Sequence, residues 1–443
     1  MLNIIIILYF LIVAGIGIYA RFQIKSPKDF YIAGKKSDVF QVSGSLLATI
    51  LGGSAILGTL ELSQQNGWAA IWFLVCASLG LFILAPISKY VNRFGKFTLP
   101  ELLGRFYGEK AELISSAIIP IAWLGIIAAQ IIGAAKILNG IGILGYSGAA
   151  ILSGIIFILY TLIGGQKSIL KTDMIQSFLI LTVILFIFIL TVGNNTLNIE
   201  YQEPQGLINS NFTIFDLAIL FLTYSTTFIV GPDIYSRIFC AQSEKKAFRS
   251  VIITAIILLP FAFIITYLGV NTPVQDSAEN ISGIILYWQN QLPLWVYGLL
   301  IAALLSAVMS SADTTLLTAS MIVSKMFYGP LENKTSYLAT KISIIVIGIF
   351  SITISIFVSS IIQSLLIALS FFSGAFLVPT LAGLLSLKAN KKMIVIAILT
   401  GGIIALAGKL IGIYENELIG NLLIIASFII NAIILFFPEP SKK

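Results

Sequence analysis

The chain has 443 residues, 58% hydrophobic and only 10% charged, with a mean hydropathy of +1.02. Soluble domains carry about 25% charged residues, so this composition excludes an ordinary soluble enzyme. Apolar runs of about 20 residues, each enough for a ~30 Å hydrocarbon layer, recur from end to end. They are continuous rather than alternating, which argues against a transmembrane barrel. Histidine is absent and there are two cysteines, Cys76 and Cys240. Metal hydrolysis, Ser-His-Asp chemistry and a disulfide framework therefore lack their usual residues, and the chain does not read as an enzyme.

Thirteen spans are predicted, near 2–20, 39–65, 68–90, 112–138, 143–163, 172–193, 214–236, 247–270, 294–326, 337–359, 361–385, 392–411 and 418–437. No basic residue precedes the first, whereas Arg21, Lys25, Lys28, Lys35 and Lys36 follow it. That order suits a retained helix with its N-terminus outside rather than a cleaved signal. With this orientation, the inner segments 21–38, 89–111, 164–171, 237–249, 325–341, 386–392 and the tail hold 24 of the 26 Lys and Arg residues; Lys136 and Lys409 are the exceptions. The outer connections carry the acids Glu200, Glu203, Asp276, Glu279, Glu415 and Glu417. The positive-inside rule thus predicts a multi-pass protein of the cell inner or plasma membrane with a cytoplasmic C-terminus. The charge of +7 reports orientation and contact with anionic lipid headgroups, not nucleic acid. No segment points to an obligatory protein partner. Ile284–Trp288, in the connection before the ninth span, reads as a short helix at the outer interface.

Three spans contain polar or helix-breaking residues where hydrocarbon makes them costly. In the second, Ala48-Thr49-Ile50-Leu51-Gly52-Gly53-Ser54 predicts a break that frees carbonyls for a cation, or else close helix packing through the glycines. In the seventh, Thr223-Tyr224-Ser225-Thr226-Thr227 precedes Gly231-Pro232-Asp233, so a cavity-lining stretch runs into a bend. In the ninth, Ser310, Asp313 and Thr314 share one helical face, with Ser311 beside it. Back-bonding to the same helix is the bland reading of such hydroxyls; a Ser-Ser pair followed by Asp favours an ion site. Asp173 is a second carboxylate at the edge of the bilayer.

Four stretches carry a resemblance to the sodium/solute symporters, whose members include proline, pantothenate, sialic acid and sugar symporters. They are Ser26–Gly34 running into Ser45–Thr49, Gly164-Gly165-Gln166-Lys167-Ser168 with Thr172-Asp173-Met174-Ile175-Gln176, Gly231–Arg237 with Ala241 and Lys245, and Ala307-x-x-Ser310-Ser311. The resemblance implies an all-α polytopic membrane protein of the leucine-transporter type. It would have a leading helix and basic loop (1–38), two inverted five-helix repeats (39–193 and 194–385), and two trailing helices with a short tail (386–443). It also implies a sodium site built from the carbonyls of Ala48, Leu51 and Ala307 and the hydroxyls of Ser310 and Ser311. A second cation or proton site would use Asp173, Ser310, Asp313 and Thr314; Asp313 stands where relatives with that site have a hydroxyl. A salt bridge from Asp313 to an inner lysine is the competing reading.

The residues that sugar and sialic acid symporters use for their solutes are not found here: Ile50, Ser54 and Ala55 stand at the sugar positions, and Ile126 at the carboxylate-binding arginine. The candidate solute residues are Gly52, Gly53, Ser54, Glu61, Trp123, Gln130, Tyr224, Thr227 and Phe228. Glu61 would meet an amine, gate the outer side or pair with Lys136. Together these readings predict sodium-coupled uptake of a small molecule, an amino acid of proline-like kind or a small carboxylate. The alternatives are a sugar or sialic acid solute, proton coupling, or a passive channel, for which neither a filter repeat nor rows of pore-lining charge are present.

Overall fold

The computed structural model describes residues 2–193, 206–272, 280–358 and 360–438, which are helical with no strand among them. The acids Glu200, Glu203, Asp276 and Glu279 lie outside the described residues. In order, the helices are α1 (Leu2–Arg21), α2 (Pro27–Ile32), α3 (Val39–Ile50), α4 (Gly53–Asn66), α5 (Ile71–Phe94), α6 (Leu99–Tyr107), α7 (Glu109–Gly140) and α8 (Tyr146–Gly193). There follow α9 (Ile214–Leu220), a π-helical stretch Phe221–Ser225, α10 (Thr226–Val230), α11 (Pro232–Cys240), α12 (Glu244–Val270) and α13 (Asn280–Gln291). The last are α14 (Leu294–Tyr328), α15 (Lys334–Phe357), α16 (Ile361–Leu384), α17 (Ile394–Tyr414) and α18 (Glu417–Leu435). Helix α13 contains the short helix expected around Ile284–Trp288.

Eleven stretches among the described residues are long and apolar enough to cross a membrane, against thirteen spans read from the sequence. The difference lies in two stretches of 42 and 47 residues, Gly53–Phe94 and Tyr146–Val192. Within α8, Gly165 takes φ 54°, ψ −168°. Tyr160 donates its hydroxyl to Thr172 Oγ1 at 2.8 Å, although twelve residues of unbroken helix would separate them by about 18 Å. The chain therefore doubles back at Gly165. Between α4 and α5 a short 3₁₀ turn, Gly67–Ala70, begins with Gly67 at φ 57°. A single glycine in the left-handed region is enough to turn the chain without a loop.

Burial sorts the helices into an inside and an outside. The central helices α7 and α14 are mostly buried, and they pack on each other. Helices α1, α15 and α18 are mostly uncovered and display Ile4, Leu11, Ile349, Phe350, Leu422 and Ile433. Such apolar exteriors belong against lipid. Helix α14 also contacts α1, α3, α4, α8, α11 and α15, so a residue at its middle sees nearly every element that carries a break.

A Cβ at Gly165 would stand 2.4 Å from the Phe30 ring, on top of its positive φ, whereas one at Gly15 would meet nothing within 4 Å. Gly165→Ala is expected to cost about 2–4 kcal/mol, and Gly15→Ala to be neutral or slightly stabilising. Thermal unfolding of the two variants in detergent measures both.

Candidate ion and solute site

Helix α3 stops at Ile50 because Leu51 leaves helical geometry (ψ 37°) and Gly52 is extended (φ −67°, ψ 174°); α4 restarts at Gly53. In an unbroken helix the carbonyls of Ala48 and Thr49 would accept from the amides of Gly52 and Gly53. Here they accept from α14: Ser310 donates to Ala48 O at 2.8 Å and Ser311 to Thr49 O at 2.7 Å. Ser310 also lies 3.1 Å from Ala307 O on its own helix. Two readings of the glycines, a helix break and a packing contact, are both correct. A Cβ at Gly52 would stand 2.0 Å from Ser311 Oγ, and one at Gly53 1.9 Å from Val308 Cγ1. Only glycine lets α14 come near enough for its hydroxyls to reach the freed carbonyls.

Ala48, Ala307, Ser310 and Ser311 thus meet in one place, with Leu51 forming the break itself. Thr49, whose carbonyl holds Ser311, is an addition that the sequence reading missed. All of these groups are neutral oxygens, the donor set that suits a hard monovalent cation and permits its release. No cluster of three His, Cys, Asp or Glu residues exists among the described residues.

The second broken element has a different construction. Phe221–Ser225 is π-helical, and Gly231 is extended (φ −65°, ψ 132°) before Pro232 starts α11. Arg237, on α11, had been counted among the cations of an inner connection; it is instead completely buried. Its Nη2 lies 3.2 Å from Asp173 Oδ2 and also donates to Thr49 Oγ1 and Thr314 Oγ1, while its Nε donates to Ser45 Oγ at 3.0 Å. The signal was present in the Thr-Asp and Gly-Pro-Asp stretches, but nothing in either says that they meet. Of the proposed second-site group, Asp173 and Thr314 share Arg237, Ser310 faces Ala48, and Asp313 accepts weakly from Thr161 at 3.4 Å. Among the described residues Asp313 forms no ion pair.

Beside the hydroxyls of Ser310 and Ser311 lies a narrow cleft lined by Ser54, Gln130, Tyr224, Thr227, Phe228 and Asp233, together with Thr49, Ser311 and Thr315. It gathers five of the nine candidate solute residues. Gly52 and Gly53 are covered by α14, and Trp123 is spent in packing, its ring 4.7 Å from that of Phe372. Glu61, buried further along α4, does not line this cleft, and Lys136 is buried as well. Asp233 had been noted only as part of a motif. A wider cleft, lined by Phe73, Asp216, Thr223, Lys409 and Glu417, adjoins the first, and Phe73 stacks on Tyr224 between them at 4.0 Å.

A profile of the Sodium:solute symporter family matches residues 30–401. The chain belongs to this family. It is 25% identical over 342 residues to a sodium/proline symporter of Haemophilus influenzae, covering 71% of this chain and 68% of that protein. A sodium/pantothenate symporter of Escherichia coli is 22% identical over 437 residues, 90% and 88% of the two chains. Among solved structures, the substrate-bound, outward-open state of a Na+-coupled sialic acid symporter superposes with TM-score 0.76 at 20% identity, covering 98% of each chain. The fold is therefore the leucine-transporter type. The protein is a multi-pass, sodium-coupled symporter and not an enzyme.

Breaking a buried ion pair by removing one partner costs about 3–5 kcal/mol. Arg237→Met is expected to lower thermal stability by that order. Adding Asp173→Asn should restore a large part of the loss, giving a coupling energy well above 1 kcal/mol in the double-mutant cycle.

Proposed function

We propose that this symporter imports a small organic solute, an amino acid of proline-like kind or a small carboxylate, by alternating access. Sodium would bind at the carbonyls of Ala48, Leu51 and Ala307 and the hydroxyls of Ser310 and Ser311. The observation that carries this reading is the pair of hydrogen bonds from Ser310 and Ser311 to the carbonyls freed at the α3–α4 break. An ion entering there exchanges hydroxyl–carbonyl bonds for oxygen coordination and ties α14 to α3. Opening of the inner side pulls the two helices apart and releases it.

Helices five places apart in the core order pack together: α5 with α12, α7 with α14, and α8 with α15, where Ile158 meets Gly348. This pairing supports the division into repeats at 39–193 and 194–385. The distribution of Lys and Arg supports an outer N-terminus, a cytoplasmic C-terminus and contact with anionic lipid. In that orientation the wider cleft is the outer vestibule, and the stacked Phe73–Tyr224 pair is the gate between it and the solute. For the second cation or proton site, Arg237 already supplies a positive charge to Asp173 and Thr314. We therefore assign one sodium per cycle, with Asp313 left as the group open to a proton. A tenfold sodium gradient (~1.4 kcal/mol) and ~100 mV (~2.3 kcal/mol) together support about 500-fold accumulation of a neutral solute.

Uptake into proteoliposomes, with sodium replaced by choline, tests this reading. Uptake should depend on sodium with a Hill coefficient near one. Ser310→Ala and Ser311→Ala should each raise the half-saturating sodium concentration about tenfold, the loss of one ~1.4 kcal/mol contact. Sodium-independent uptake in the wild type, or an unchanged sodium response in both variants, overturns it.

A further inference from the structure

Three oxygens of the inner cleft make no hydrogen bond within the described protein: Gln130 Oε1, Thr227 Oγ1 and Asp233 Oδ1. Their residues are 1%, 7% and 7% exposed, and all three line the same cleft. Each unmet acceptor costs about 1–3 kcal/mol, more when charged, so three in one place mark a site for a donor that the protein itself does not supply. Gln130 uses its amide nitrogen on Ser54 Oγ at 2.9 Å, which leaves its oxygen as the free end.

The charge of that donor follows from the lining. Asp233 is the single charged residue among those that line the cleft. It stands in the first turn of α11, where the helix N-terminus favours an acid. That accounts for tolerance of its charge but leaves the free oxygen unexplained. Arg237, one turn on, attracts the carboxylate without bonding to it: its Nη1 donates to the main-chain carbonyl of Asp233 at 3.1 Å, and its ion pair is with Asp173, so Oδ1 keeps no protein partner. A buried carboxylate with one oxygen unmet, in a cleft with two further unmet oxygens, fits an ammonium group, which offers several N–H donors and one positive charge.

We propose that Asp233, with Gln130 and Thr227, binds the ammonium group of a small zwitterionic amino acid. The start of α4, which Gln130 touches through Ser54, suits its carboxylate. Gly52 supplies no side-chain cap to the amides of Gly53 and Ser54, which open α4, and Ser54 lines the cleft. A carboxylate without an amine, or a neutral sugar, brings no positive charge to Asp233. The inference rests on the reading of this cleft as the solute site, and it selects the amine-bearing class from the two left open there.

The test is uptake and thermal stabilisation of the full-length protein with three sets of probes: L-amino acids, including proline and alanine; their amine-free counterparts tetrahydrofuran-2-carboxylate and lactate; and glucose. The expected result is a sodium-dependent response to one or more amino acids and none to the amine-free acids or glucose. Asp233→Asn should weaken the responding amino acid about a hundredfold, as expected when a buried charge loses its partner. The same variant should keep the stabilisation that sodium alone gives, which also reports that it folds. A sodium-dependent response to an amine-free acid or to glucose, with none to amino acids, overturns the inference while leaving sodium symport intact. So does an amino acid response that Asp233→Asn leaves unchanged. Loss of sodium dependence throughout instead removes the symport reading itself, and the inference with it.

Discussion

A backbone amide or carbonyl inside hydrocarbon must find a partner within the protein, and a helix that stops halfway across the membrane leaves several without one. The break at Leu51–Gly52 meets that constraint through α14, whose Ser310 and Ser311 reach the carbonyls of Ala48 and Thr49. The rest of the site depends on this exchange. It requires Gly52 and Gly53, since any side chain there would hold α14 away. It places neutral oxygens together where a cation can compete for them. It also makes the bond between the two helices conditional, because hydroxyls that stabilise the break by hydrogen bonding can equally serve an ion.

Charge is handled by a similar economy. Asp173, Asp313 and Arg237 are all buried, and isolated charges at such depth are costly. Arg237 gathers Asp173, Ser45, Thr49 and Thr314, drawn from α8, α3 and α14, onto one guanidinium. Its planar fork suits several acceptors at once. Thr49 links the two systems: its carbonyl holds Ser311 and its hydroxyl holds Arg237. The Ser310–Ser311 contacts, the buried ion pair and the cleft beside them therefore share a residue. Asp233 meets this network only through its main-chain carbonyl, which accepts from Arg237 Nη1, and its Oδ1 is left without a protein partner.

Much of this was legible in the sequence where a local rule was broken. Paired glycines in an apolar run, five hydroxyl-bearing or aromatic-polar residues together, and a Ser-Ser-x-Asp stretch each stand out because hydrocarbon penalises them. Ser54, Gln130, Tyr224, Thr227 and Phe228 were placed in the solute group and do meet in one cleft. Trp123 and the two glycines were placed with them and do not. Their neighbours on Phe372 and α14 come from distant parts of the chain, and helical spacing carries no information about those. Arg237 was counted with the cations of an inner connection, and nothing in its local sequence says that it is buried against Asp173.

The sequence alone determined that the chain is a series of apolar helices long enough to cross a membrane, since hydrophobic length is a property of the local chain. It also determined the segments that could not remain regular helix, since glycine, proline and hydroxyl clusters act on their own backbone. Only the tertiary structure decided which of those segments face one another. It turned α8 back at Gly165, brought Ser310 and Ser311 against a helix some 260 residues earlier, and buried Arg237 beside Asp173. It left Asp233 with an unmet oxygen in the cleft. Those outcomes depend on where helices cross, and crossing is set by side-chain packing between elements far apart in the chain.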